Sequence, residues 1–168
     1  MDRELLLKAR AGDREAFELI VAAKAEPLFR TAMAIVGNEV DARDATQEAF
    51  ISAWRSLSRL RDLERFDAWL GRILINQCRM ALRHRGRVRE IAISDFTDSP
   101  RAALADSTSD FDAAFDRLSV DQRSLLVLHH MHGYDVREIA GWLGIPAGTV
   151  KWRLSRARRA LTTELERS

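Results

Sequence analysis

Five basic residues fall within nine positions of the C-terminal stretch GIPAGTVKWRLSRARRAL: Lys151, Arg153, Arg156, Arg158 and Arg159, with no acid among them. At this density, guanidinium and ammonium groups form charge-assisted bonds to phosphate oxygens and to base edges. Trp152 stands inside the run. A second basic set, Arg72, Arg79 and Arg83 together with Asn76, recurs at steps of four, three and four, and Arg59, Arg61 and Arg65 precede it. An acidic set, Asp41, Asp44 and Glu48, lies upstream beside Gln47 and Ile51. These groups offer recognition of a polyanion and of a basic protein surface. The sequence has no nucleophile–base constellation and no phosphate-binding glycine loop, so the reading is of a non-enzyme without a cofactor.

The charge distribution supports a polyanion partner. The net charge is only +2, but Arg55 to Arg89 holds ten arginines against Asp62, Glu64 and Asp67. Glu90 to Asp116 then holds seven acids against Arg101 alone. Two basic blocks flanking an acidic connector suggest contact with a polyanion at two places. The single cysteine, Cys78, excludes an internal disulfide and a cysteine-based zinc site, which fits a reducing cytoplasm. The N-terminus carries acids where a leader would be basic and then apolar, and no apolar run approaches a membrane span, so no membrane insertion is expected.

Three prolines and long stretches of helical periodicity predict an all-α protein. Helices are read over REAFELIVAAKAEPLFRTAMAIV, which stops at Gly37-Asn38, over EVDARDATQEAFISAWRSL and over FDAWLGRILINQCRMALRHRGR. The basic loop SRLRDLER separates the last two. From Ile91 to Asp110 the pattern gives way to Ser, Asp, Thr and Ala, which reads as an exposed flexible linker. Beyond it, Ser119 and Gln122 fit a capping box and Gly133 a helix end. Asp135 is placed to cap a helix, Gly144 to turn the chain, Ile145 to plug the angle and Pro146 to open the next helix. That order is the layout of a helix-turn-helix.

At about 100° per residue, Val150, Leu154, Ala157 and Leu161 form the buried stripe of the last helix. Gly148, Thr149, Trp152, Ser155, Arg156 and Arg159 take the far side, with Lys151, Arg153 and Arg158 on the flanks. A membrane-surface helix would carry its large apolar residue on the apolar side. A DNA-reading helix has small residues at its N-terminal end, basic groups for phosphates and base edges, and an apolar group for a thymine methyl. The latter pattern fits better than a merely solvated face.

In the N-terminal half, Ala42, Ala45, Ala49 and Ala53 make a buried stripe, with Asp41, Asp44, Glu48, Ser52 and Arg55 opposite. Phe66, Leu70, Ile73, Gln77, Met80 and Ala81 are placed on the core side of the third helix, away from Arg72, Asn76, Arg79 and Arg83. Trp54, Phe66 and Trp69 are read as core rather than as base-stacking platforms. The three histidines of HHMHG are read as a helix end where a charged ring meets the dipole, rather than as a metal site.

Together these motifs resemble the extracytoplasmic-function (ECF) subgroup of the bacterial sigma-70 family. DARDATQEAFISAW resembles the helix that binds the polymerase clamp, FDAWLGRILINQCRMALRHR the minus-ten helix, and EIAGWLGIPAGTVKWRLSRARRAL the minus-thirty-five helix-turn-helix. The resemblance implies two small helical domains, a sigma region 2-like bundle over 1–90 and a sigma region 4-like domain over 111–168, joined by the linker 91–110. It implies a sigma factor that binds core RNA polymerase and directs initiation by recognising both promoter elements and helping to melt promoter DNA. Asp41, Asp44, Gln47, Glu48, Ile51 and Arg55 would bind core. Arg59, Arg61, Arg65, Arg72, Asn76, Arg79 and Arg83 would hold the minus-ten element, and the loop Leu57 to Arg65 a flipped-out base. Gly148, Thr149, Lys151, Trp152, Arg153, Ser155, Arg156 and Arg159 would read the minus-thirty-five element. An anti-sigma factor is the further partner implied, and the cytoplasm the expected location. Two positions depart from the family pattern: Met80 replaces a frequent Asp and is expected to alter local packing, and Trp152 replaces a small Ser. The rivals are a DNA-binding regulator that works without polymerase and a protein-binding adaptor, and the basic sets argue against the adaptor.

Overall fold

Local signals in the sequence set where each helix begins and ends. The computed structural model describes residues 2–95 and 110–167, and every regular element among them is helical. The N-terminal module consists of α1 (Arg3–Arg10), α2 (Arg14–Val36), α3 (Glu39–Ser56) and α4 (Phe66–Asp95), the last described by its backbone alone beyond residue 84. Asp13 caps α2 by accepting from the Ala16 amide at 3.0 Å, and Asn38 caps α3 by accepting from Asp41 at 2.8 Å. Between them Gly37 turns the chain at φ 77°, a conformation that disfavours residues with a Cβ. α1 was not foreseen. Asp2 caps it, Glu4 pairs with Lys8 at 2.9 Å, and Leu6 and Ala9 bury against the bundle.

The C-terminal module holds α5 (Asp110–Asp116), α6 (Val120–Leu126), α7 (Val136–Leu143) and α8 (Ala147–Leu165). Ser119 and Gln122 form the expected capping box at α6, and Asp135 and Glu138 form another at α7. α6 continues into a π-helical segment, Val127–Met131, which the sequence did not signal. Gly144 ends α7 at φ 65°. Pro146 occupies the N-cap of α8 rather than its first helical position, because its ψ of 143° is extended. α4 carries helix to Asp95, so residues 91–95 are not linker in conformation. The expected linker between Phe96 and Ser109 lies outside the described residues.

Three apolar clusters hold the described residues together. One, with Phe17, Ile20, Phe50, Phe66 and Leu70, lies within the N-terminal module. A small one, Leu118, Leu126 and Ala157, lies within the C-terminal module. The third crosses between them: Ile35, Leu74, Ile75 and Cys78 share it with Leu128, Ile139 and Val150. The modules are therefore packed together, α7 and α6 lying on α4 and the π segment on α2. Thr31 Oγ1 donates to the Pro27 carbonyl at 2.8 Å, which leaves it to accept from His132 Nε2 at 2.9 Å across the seam.

Two outcomes follow from this architecture. Asp135→Ala removes the carboxylate that accepts from the Arg137 and Glu138 amides at the α7 cap and should cost about 1 kcal/mol, read as a lower urea midpoint with unchanged slope. Cys78 is fully buried and desolvation pushes its thiol up to about 12. Iodoacetamide should therefore leave Cys78 unmodified in the native chain and alkylate it once urea unfolds the protein.

Candidate nucleic-acid and protein interfaces

Small side chains set the geometry of α3. Ala42, Ala49 and Ala53 are fully buried and Ala45 nearly so, and the helix therefore lies close against α2 and α4. Asp44, Gln47, Glu48 and Arg55 consequently face solvent, with Asp41 and Ile51 half-buried. Asp41 is held by Asn38 Nδ2 at 2.6 Å. Beside this acidic face a groove of about 650 Å³ runs between α2 and α3, lined by Val21, Ala25, Phe29, Phe50 and Ile51 with Arg43 and Gln47 at its rim. Sequence reasoning found the acidic rim but missed the α2 wall. The apolar residues of α2 fall on more than one face, and the excess over what the bundle needs was the available signal.

The loop between α3 and α4 is two single 3₁₀ turns, Leu57–Arg59 and Leu63–Arg65. Buried Leu57 and Leu63 peg it, and Arg10 donates to the Leu60 carbonyl at 3.3 Å. Arg59, Arg61 and Arg65 are left exposed, Arg65 pairing with Asp62 at 3.3 Å. On α4, Phe66, Leu70, Leu74 and Cys78 bury, so Arg72, Asn76 and Arg83 face solvent as expected. Arg79 lies on the same stripe but is half-covered: Nε reaches Asp121 at 2.7 Å and Nη1 reaches Asn76 at 3.0 Å. Met80 corrects the wheel, because it is 56% exposed and belongs to the outer face. It cannot disturb core packing. Trp54 is also more open than expected, 39% exposed while its ring packs on Phe17 at 4.9 Å. Phe66 is core and Trp69 half-buried, as read.

On α8 the expected division holds. Val150, Leu154 and Ala157 are buried, and Leu161 is half-buried. Gly148, Lys151, Trp152, Ser155, Arg156 and Arg159 are exposed, with Thr149 and Arg153 intermediate. Trp152 is 56% exposed, and the Arg156 guanidinium sits 5.4 Å from its ring centre. This cation–π contact orients the guanidinium over the indole.

The histidines differ from expectation. Each ring has its own partner: His129 Nδ1 meets the Tyr134 carbonyl at 2.8 Å, His130 Nε2 accepts from Arg158 at 3.2 Å, and His132 meets Thr31. Burial, reinforced by Arg158 and by Arg30 respectively, pushes His130 and His132 below the ordinary histidine range. Both rings are thereby biased toward the neutral form, which works against the expected charge–dipole pairing at these two positions. No group of three or more ligating side chains among the described residues is placed to hold a metal. No described helix is long and apolar enough to cross a membrane.

Comparison with known proteins matches this arrangement. The family models for sigma-70 region 2 and sigma-70 region 4 match residues 20–88 and 109–161. The chain is 35% identical over 161 residues to the ECF RNA polymerase sigma factor SigM of Mycobacterium tuberculosis, covering 95% of this chain and 82% of the relative. It is 30% identical to the RNA polymerase sigma-H factor of Pseudomonas aeruginosa, covering 98% and 94%. Among solved structures, CnrH in complex with the cytosolic domain of CnrY superimposes with a TM-score of 0.71 at 28% identity, over 99% of this chain and 98% of that one. RpoE of Bartonella quintana, bound to the anti-sigma factor NepR, gives 0.67 at 28% identity, over 89% and 96%. With both regions matched in order along one chain whose described elements are helical, the protein belongs to the ECF group of sigma-70-family RNA polymerase sigma factors.

Proposed function

We propose that this sigma factor distributes its work over three surfaces. The face of α3 with Asp41, Asp44, Gln47, Glu48, Ile51 and Arg55 docks on core polymerase, and the apolar groove beside it takes a hydrophobic ridge of the same partner. The 3₁₀ loop and α4, through Arg59, Arg61, Arg65, Arg72, Asn76, Arg79 and Arg83, hold the minus-ten element and help to melt it. Gly148, Thr149, Lys151, Trp152, Arg153, Ser155, Arg156 and Arg159 on α8 read the minus-thirty-five element as duplex. The division into domains at 1–90, 91–110 and 111–168 belongs to the same reading, with the helical end of α4 running into the connecting segment as far as Asp95. The observation that carries it is the coexistence, on one chain, of an outward acid face beside an apolar groove and two outward cationic faces. A regulator acting without polymerase would have no use for the first of these.

Work with core polymerase places the protein in the cytoplasm, as a binding factor rather than a catalyst. CnrH and RpoE were each solved with a binding partner, and an anti-sigma factor is proposed here on that parallel. Trp152 extends the reading of α8. Its indole edge suits a thymine methyl, while the stacked Arg156 fork suits phosphate or a guanine edge.

Pull-down with purified core polymerase tests the first surface. Asp44→Arg with Glu48→Arg should weaken capture at least tenfold, since like charge meets a basic partner, while helix content stays intact. Trp152→Ser should leave capture and melting temperature unchanged and shift upstream promoter preference, by roughly tenfold at one base pair. Wild-type protein that ignores core polymerase but binds duplex DNA tightly alone would favour the polymerase-independent regulator.

A further inference from the structure

Met80 stands in the middle of the outer face of α4, 56% exposed. That face has two edges, both fixed by packing. On one, Arg79 reaches Asp121 of α6 at 2.7 Å. On the other, Gln77 Nε2 donates to Ser52 Oγ of α3 at 3.1 Å. Between the edges Arg72, Asn76, Met80, Arg83 and His84 are exposed. At about 100° per residue, Met80 falls about 40° from Asn76 on one side and about 40° from His84 on the other. Residues four apart on a helix are neighbours, with Cβ atoms about 5–6 Å apart. Asn76, Met80 and His84 therefore form one continuous row.

A single exposed methionine is ordinary on a protein surface. The company that Met80 keeps is not. Arginine and asparagine on this face serve phosphates and base edges. A thioether serves neither. Its polarizable sulfur and unbranched chain suit the flat surface of an aromatic ring. His84 adds an imidazole one turn further on, and bases that have left the stack rest on such rings. Asn76 lies one turn before. Arg79 Nη1 donates to Asn76 Oδ1 at 3.0 Å, which holds the amide and leaves its Nδ2 donor for an acceptor on a base edge. The α8 face has the same make-up, with Trp152 set among Lys151, Arg153 and Arg156 and equally exposed.

We propose that Met80 and His84 form a platform for one unpaired base of the minus-ten element, with Asn76 at the edge of that base, and that Met80 determines specificity at that position. This base is additional to the one expected in the loop Leu57 to Arg65. The proposal rests on the assignment of α4 to the minus-ten element. Melting strips a base of its stacked neighbours, and the platform restores part of the lost contact. A paired base inside the duplex cannot lie on it, so the contact favours the melted promoter. Met80 carries no charge and neutralises no phosphate, so its effect is on base preference rather than on salt dependence.

Transcription by the assembled holoenzyme from a promoter library randomised across both elements tests this. Met80 is exposed, and alanine and leucine both sustain a helix, so α4 persists in the variants. Met80→Ala should relax base preference at one position of the downstream element by roughly threefold to tenfold. The upstream element, the spacing and capture by core polymerase should stay as in wild type. Met80→Leu keeps a similar apolar volume and should retain the preference to within about twofold. His84→Ala should relax the same position as Met80→Ala. The salt dependence of promoter binding should be the same for wild type and Met80→Ala. Unchanged downstream preference in Met80→Ala would overturn the proposal while leaving the promoter assignment intact. So would relaxation at different positions by the Met80 and His84 variants. A wild-type holoenzyme that yields no protein-dependent transcripts would overturn the promoter assignment and this proposal with it.

Discussion

The alanine stripe of α3 is the constraint on which the rest of the molecule depends. Ala42, Ala45, Ala49 and Ala53 bring α3 against α2 and α4 with no long side chain between the helices. Interiors of this kind are packed to crystal-like density, so a larger residue on the stripe would push the helices apart or force strained rotamers. Close approach fixes the rotation of α3 and sends its acids outward. It also fixes α4, whose buried Phe66, Leu70 and Leu74 turn its cations toward the opposite side. The surfaces for protein and for nucleic acid are thus two consequences of one packing choice.

Side chains on the surfaces are arranged in ways that stability does not require. Arg72, Arg79 and Arg83 lie along one helix face, where like charges repel. Trp152 exposes more than half of a large indole while smaller apolar residues fill the core beneath it. An exposed indole forgoes the free energy of burial, and beside a cation, as Trp152 stands beside Arg156, it is useful when a planar, negatively charged partner arrives. The folded chain meanwhile satisfies part of that positive field internally, through Asp121.

Much of this was legible in the sequence, because helix caps and helical periodicity are local. Gly37, Ser119, Asp135 and Gly144 act where they were read, and the buried stripes of α3 and α8 follow the 3.6-residue repeat. The failures have physical causes. α1 is short and depends on docking Leu6 and Ala9, which periodicity over eight residues does not reveal. Met80 lies at the edge of the wheel, where a small rotation of α4 decides exposure. The π segment has no composition signal of its own, and it sets the histidine rings against Tyr134, Arg158 and Thr31. The docking of the modules was the least readable feature. It turns on a single glycine under a single tryptophan, residues seventy-one positions apart, and on a charge pair between Arg79 and Asp121.

The function proposed for this chain requires that it read two promoter elements together with polymerase. The direct measurement is transcription in vitro by purified core polymerase from a randomised promoter library, with and without the protein, followed by sequencing of the transcribed templates. Protein-dependent transcripts should come from templates enriched in two conserved elements at one fixed spacing, the upstream one altered by Trp152→Ser. Transcripts absent, or templates enriched in a single element at no fixed distance from the start site, would contradict the proposed function.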